Sequence, residues 1–218
     1  MTMLSSEQAV AWVRTTAAVI EENAAMLTRL DQAIGDGDHG TNMNRGFKAV
    51  PQRLESAGEL DLGALFKHVS MALVSKVGGA SGPLYGSFYL GVSKALGDAG
   101  EVDDGALAKA LRAGLEAVIA RGKARLEDKT MIDALDPAVA ALEGALGEGR
   151  PLGEALDVAA AAGERGMRAT IPLVARKGRA SYLGERSRDH QDPGATSSHL
   201  IVRALADVVN GRAGGTGA

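Results

Sequence analysis

The chain has no cysteine among its 218 residues, which excludes a disulfide scaffold, a thiolate nucleophile and a Cys-ligated zinc or iron–sulfur site. It has no basic excess: 24 Lys and Arg stand against 27 Asp and Glu, a formal charge of -3. Nothing therefore drives counterion release from DNA or RNA, and no nucleic-acid partner is expected. No segment approaches the roughly 20 apolar residues that span a bilayer. The start, MTMLSSEQAVAWVR, lacks the basic segment followed by an apolar run of an export signal. A soluble, unprocessed, cytoplasmic protein without a membrane partner is expected. Also missing is any sustained alternation rich in Val, Ile, Thr and aromatics, the pattern of a half-buried strand.

What is present is helical periodicity. Apolar residues recur every three or four positions almost throughout, at 45% hydrophobic content, enough for one good-sized core. The expectation is one all-α domain over residues 1–211, with the tail RAGGTGA, 212–218, disordered. In the first helix Ser5 and Gln8 are placed to form a capping box, and Val10, Val13, Ala17, Ile20, Ala24 and Leu27 make one stripe. One more step along that stripe lands on Asp31. Met43, Phe47, Val50 and Leu54 suggest a second helix, which Pro51 should bend or shorten. Leu62, Leu65, Val69 and Leu73 suggest a third, and the Gly-rich stretch 78–86 leads into a fourth. Further helices are expected near 104–121, 136–146, 152–174 and 196–210, about eight in all. The segments 31–42 and 176–194, rich in glycine and charge, read as the loops where function sits.

Asp31 continues a buried face, and Asp36 and Asp38 follow in a glycine-rich turn able to fold back toward it. At about 4 Å and an effective dielectric near 20, each like-charged pair would cost on the order of 4 kcal/mol, so convergence demands a proton or a cation. Hard oxygen donors without cysteine suit magnesium. An Asp-Gly-Asp also serves simply to close a turn through side-chain to backbone hydrogen bonds. Two motif matches fail in context. Gly35, Gly37 and Gly40 spell a dinucleotide fingerprint, but a helix precedes them rather than a strand. Asp36, Asp38 and Gly40 resemble a calcium loop, but its twelfth position is Phe47, not glutamate.

GGASGPLYGS, residues 78–87, sets small residues before a helix start, where backbone N–H groups can face phosphate, although no Walker lysine is present. A tight helix-to-helix connection is the equal alternative. Paired with metal-binding carboxylates, the turn suits phosphoryl transfer, which depends on positioning and charge neutralisation. Arg179 in the distal loop is a candidate to stabilise charge on a transferred phosphate, though a lone loop arginine is by default solvated. His190 and His199 read as surface or capping residues. His39, next to Asp38, reads either as a contact to phosphate or acceptor, or as a turn residue.

Taken in order, GDGDHGTNMNRGF (35–47), GGASGPLYGS (78–87), KTMIDALDPA (129–138), GRASYLGERS (178–187) and DPGATSS (192–198) resemble the nucleotide-binding L subunits of dihydroxyacetone kinases over nearly the whole chain. The resemblance implies eight antiparallel helices closed into a barrel, with ADP or ATP and two Mg2+ ions at one end. It implies metal ligands at Asp31, Asp36 and Asp38. Nucleotide contacts are implied at His39, Gly40, Thr41 and Asn42, at Ala80 and Ser81, at Gly122 and Met131, at Arg179, and at Asp192, Pro193 and Gly194. It further implies a separate K subunit holding the ketone through a histidine, so that this chain alone is inactive. The nucleotide is either exchanged or kept and recharged by a phosphohistidine-carrying M subunit of the phosphoenolpyruvate phosphotransferase system, and a free-standing L subunit favours the second. A homodimer is left open. The alternatives are a nucleotide subunit for another ketose or a fatty acid, the latter disfavoured because that branch usually carries Thr where His39 stands, and an ADP-sensing regulator of transcription.

Overall fold

A computed structural model describes residues 3–212, so 213–218 of the expected disordered tail lie outside the described residues. Ser5 and Gln8 make the reciprocal cap that starts the first helix: Ser5 Oγ accepts from Gln8 N and Gln8 Oε1 accepts from Ser5 N, both at 3.2 Å. That helix, α1 (Ser6–Ile34), buries Val13, Ala17, Ile20, Leu27 and finally Asp31 on one face. It is followed by α2 (His39–Glu55), α3 (Leu62–Lys76), α4 (Ser81–Leu96), α5 (Asp104–Gly122), α6 (Ile132–Gly147) and α7 (Leu152–Ala169). A 3-10 helix over Arg179–Ser187 precedes α8 (Pro193–Val209). Asp61, Asp103 and Asp192 cap α3, α5 and α8 by accepting from the N–H three residues on.

Each helix packs on the next and α8 returns to α1, so among the described residues the eight α-helices close into the expected ring. The even-numbered helices all begin where α1 ends, since His39, Ser81, Met131 and Pro193 share one cleft with Asp31 and Ile34. The ring is filled by aromatic side chains. Trp12 lies edge-on to Phe66 at 5.4 Å, Tyr89 stacks on Phe66 at 6.0 Å, and Trp12 Nε1 donates to Ile201 O at 3.0 Å across the ring.

Several expectations are corrected. The loop expected over 31–42 is four residues long, because α1 continues through Asp31 to Ile34 and α2 starts at His39. Pro51 does not shorten α2, which runs on to Glu55 with Phe47, Val50 and Leu54 all buried; that packing outweighs one lost backbone bond. α6 begins four residues early, at Ile132, α8 begins three early, at Pro193, and α7 stops at Ala169 rather than Val174. The second expected loop contains the 3-10 helix. Two three-residue strands, β1 (Met3–Ser5) and β2 (Glu101–Asp103), pair antiparallel with Leu4 opposite Val102, too short for an alternation pattern to register.

Candidate functional site

Where α1 ends, its last turn presents Asp31 to the glycine-rich connection. Asp31 Oδ2 accepts from the N–H of Asp38 at 2.8 Å and of His39 at 3.0 Å, which fixes the carboxylate and leaves Oδ1 for a ligand. Gly35 makes room for it: a Cβ there would lie 2.0 Å from Asp31 Oδ1. The folded connection brings Asp36 and Asp38 back, so that one ligand atom from each of the three aspartates lies within 4.8 Å of the others. Asp31 is buried and the other two are exposed. Three carboxylate oxygens at this spacing, one oriented by backbone donors, fit a hard divalent cation.

The same cleft, with a cavity volume of about 160 Å³, receives the starts of α4, α6 and α8. Ala80 precedes α4 without a side-chain cap, so this helix end keeps donors and a positive dipole end for an anion, whereas at the start of α6 Ile132 N already donates to Thr130 Oγ1 at 3.2 Å and Asp133 N to Thr130 O at 3.0 Å. At the third start, Asp192 Oδ2 is engaged by Ala195 N at 2.6 Å. Burial pushes the Asp192 carboxyl up to about 7, with Asp133 and Asp31 adding to the rise and the Ala195 N–H and Lys129 opposing it. Arg179, from the 3-10 helix, reaches the acidic cluster with Nε 3.0 Å from Asp36 Oδ2.

His39 is neither a turn residue nor exposed. It opens α2 at 7% exposure, with Nδ1 3.2 Å from Ser81 Oγ and Nε2 2.9 Å from Ser197 Oγ. Burial lowers its pKa to about 4 against the pull of Asp31 and Asp38, so the ring is neutral and links α2, α4 and α8. Tyr85 extends this chain: its hydroxyl donates to Gly194 O at 3.0 Å and meets Ser197 Oγ at 2.7 Å and Ser198 Oγ at 3.0 Å.

The cleft thus gathers the three aspartates, His39, Ala80, Ser81, Met131, Arg179, Asp192, Pro193 and Gly194. Gly40, Thr41, Asn42 and Gly122 do not line it. Gly40 packs α2 on α1, since a Cβ there would fall 2.0 Å from Ala24 O. Thr41 is exposed, and Asn42 Oδ1 accepts from Arg45 Nη2 at 2.5 Å. Gly122 ends α5 beside Leu84, a cleft residue. His190 is exposed, whereas His199 is half-buried with Nδ1 lacking a partner. Sequence reasoning missed Tyr85, Ser197 and Lys129, whose polar ends are used inside the fold.

No helix among the described residues is long and apolar enough to cross a membrane. Residues 33–207 match the model of the DAK2 domain. The PEP-dependent dihydroxyacetone kinase, ADP-binding subunit DhaL, of Escherichia coli (strain K12) is 42% identical over 203 residues, covering 93% of this chain and 97% of that one. The corresponding subunit of kinase 1 of Listeria innocua serovar 6a is 45% identical over 197 residues, covering 90% and 93%. The solved dihydroxyacetone kinase from C. freundii, in complex with AMP-PNP and Mg2+, matches with a TM-score of 0.69 at 27% identity, covering 91% of this chain and 33% of that chain. This chain therefore spans about a third of that kinase. By the extent of these matches and the helical ring they share, the chain belongs to the DAK2 domain family.

Proposed function

We propose that the chain is the cytoplasmic nucleotide-binding subunit of a dihydroxyacetone kinase, transferring a phosphoryl group from its nucleotide to dihydroxyacetone held on a separate K subunit. The observation that carries this reading is the meeting, in one cleft, of three aspartates with the uncapped start of α4. Asp31, Asp36 and Asp38 would hold magnesium, two ions in this reading, which when bound would neutralise charge on phosphate oxygens.

The chain's own groups do the rest. Backbone N–H groups at the start of α4 receive phosphate oxygens, and the His39 ring holds Ser81 in place from behind. Arg179, exchanged from Asp36 to the transferred group, stabilises charge on its oxygens. Gly40, Thr41, Asn42 and Gly122, outside the cleft, support the nucleotide through packing and helix placement.

The relatives support the division of labour. The L subunits are matched over nearly their whole length, whereas the C. freundii kinase is matched over a third, which supports reading this chain as the counterpart of those L subunits. The PEP-dependent naming of those relatives favours recharging of kept ADP by a phosphohistidine-carrying M subunit. The test is reconstitution. The purified chain alone should form no dihydroxyacetone phosphate, and adding a K subunit, an M subunit and phosphoenolpyruvate should start turnover. Robust activity of the chain alone with ATP would overturn the two-subunit reading.

A further inference from the structure

Lys129 stands where the backbone favours glycine. Its φ is +61°, and Glu127 and Lys123 in the same connection are at +68° and +53°. A side chain at a left-handed position costs backbone energy that glycine avoids, so the lysine side chain itself must repay its place. That side chain is 1% exposed, a rare state for lysine. Its Nζ lies within hydrogen-bond reach of four backbone carbonyls, which its three N–H groups share: Thr170 at 2.7 Å, Leu173 at 3.0 Å, Ile171 at 3.3 Å and His190 at 2.5 Å. All four partners are neutral oxygens, a donor set that suits a monovalent cation.

The geometry shows what the cage holds. Three of its carbonyls, at Thr170, Ile171 and Leu173, directly follow the end of α7, the side of the helix's negative dipole end. The fourth, at His190, closes the other end of the connection that carries Arg179 and delivers the chain to Asp192. Neighbouring bonds run the same way: Asp189 N donates to Ile171 O at 2.8 Å and Asp192 N to Thr170 Oγ1 at 3.0 Å. Arg176 N donates to Asp128 O at 3.0 Å, tying the connection to the lysine's own turn.

We propose that Lys129 is a positioning residue for the nucleotide cleft, an internal cation in a carbonyl cage that clips the base of the 170–190 connection so that Arg179 and Asp192 face the aspartates. The proposal rests on the nucleotide-binding reading above. Without the clip, the binding-competent arrangement of this connection is less populated, and apparent nucleotide affinity falls by that fraction while saturating nucleotide restores the arrangement.

Lys129→Gly keeps the left-handed backbone and opens the cage. Stripped of nucleotide and assayed with the K and M partners and phosphoenolpyruvate in tetramethylammonium chloride, its KM for ADP, the concentration that half-saturates turnover, should rise about tenfold while kcat falls less than about threefold. Potassium or ammonium at the same ionic strength should enter the cage and restore most of the KM, leaving wild type unaffected. An unchanged KM in the folded variant, or a rise that neither cation reverses, would overturn the proposal; a residue that served stability alone would lower the melting temperature without moving KM. Lys129→Met, which keeps the stem and loses the charge, should show the KM rise without cation rescue, because its side chain fills the cage; rescue there would also overturn it. In native wild type, amine labelling followed by mass spectrometry should spare Lys129 while exposed Lys67 reacts, and equal rates would sink the cage. Failure of wild type to bind magnesium nucleotide would instead remove the functional reading, with the labelling result untouched.

Discussion

Arg179 Nε lies 3.0 Å from Asp36 Oδ2, so the cleft's arginine is paired with a candidate metal ligand. The two side chains are 65% and 35% exposed, and ion pairs this open to water are worth at most about 1 kcal/mol. A divalent cation can therefore displace the guanidinium and free it for phosphate. Arg179→Ala should leave Mg2+ affinity unchanged or slightly tighter, yet lower turnover with the K partner by about 10²- to 10³-fold. Calorimetric titration beside steady-state kinetics checks both halves; weaker Mg2+ binding would contradict the exchange.

Gly35 tests the acidic cluster without touching a carboxylate. An alanine Cβ would lie 2.0 Å from Asp31 Oδ1, and the buried, doubly hydrogen-bonded carboxylate has no slack to move. Gly35→Ala should weaken Mg2+-dependent ADP binding at least about tenfold, on the scale of losing an orienting partner. Gly144→Ala, where no atom lies within 4 Å of the added Cβ, should leave that binding unchanged. Equal affinities for both variants would refute the packing argument.

Two buried groups give opposite pH slopes. Asp192 titrates at about 7 in the fold against 3.8 as a free side chain, so the folded chain holds more protons between those values and stability falls as pH rises through them. His39 titrates at about 4 against 6.5, so the unfolded chain holds more protons and stability is lost as pH falls from 6.5 toward 4. Asp192→Asn keeps an N-cap residue but removes the first slope. Its melting temperature should exceed wild type above neutral pH and decline more steeply on acidification. Parallel pH curves for the two proteins would rule this out.

Tyr85 and Tyr89 are both fully buried but differ in their hydroxyls. Tyr85 has three hydrogen-bond partners, whereas the Tyr89 hydroxyl has none among the described residues. Tyr85→Phe should cost about 1–3 kcal/mol, and Tyr89→Phe should be neutral or stabilising. Urea unfolding distinguishes them, and equal losses would be the contrary result.

The route from sequence to site ran through periodicity. Asp31 stood out because α1 buries a continuous stripe and the next position on it is a carboxylate, and the structure does bury it. The all-α class followed from helical periodicity without strand alternation, whereas the closed ring was implied only by the resemblance to the family. The start of α2 followed from neither, because His39, Gly40, Thr41 and Asn42 are weak helix formers whose conformation is set by Gly40 packing against Ala24 O. Lys129 and Tyr85 were invisible for a related reason. A lysine reads as solvated surface and a tyrosine among apolar residues as core, while their roles lie in partners 41 to 113 residues away along the chain. Arg179 carried no local pattern; only its resemblance to the family, and then its place beside Asp36, drew it in.

The most direct measurement is calorimetry of ADP binding with and without Mg2+, on the chain and on Asp36→Ala. Tight binding by wild type only when Mg2+ is present, and its loss in the variant without loss of helicity, is the expected result. ADP binding of equal strength in all four titrations, or none at millimolar Mg2+ in wild type, would contradict a cation-held nucleotide at this cleft.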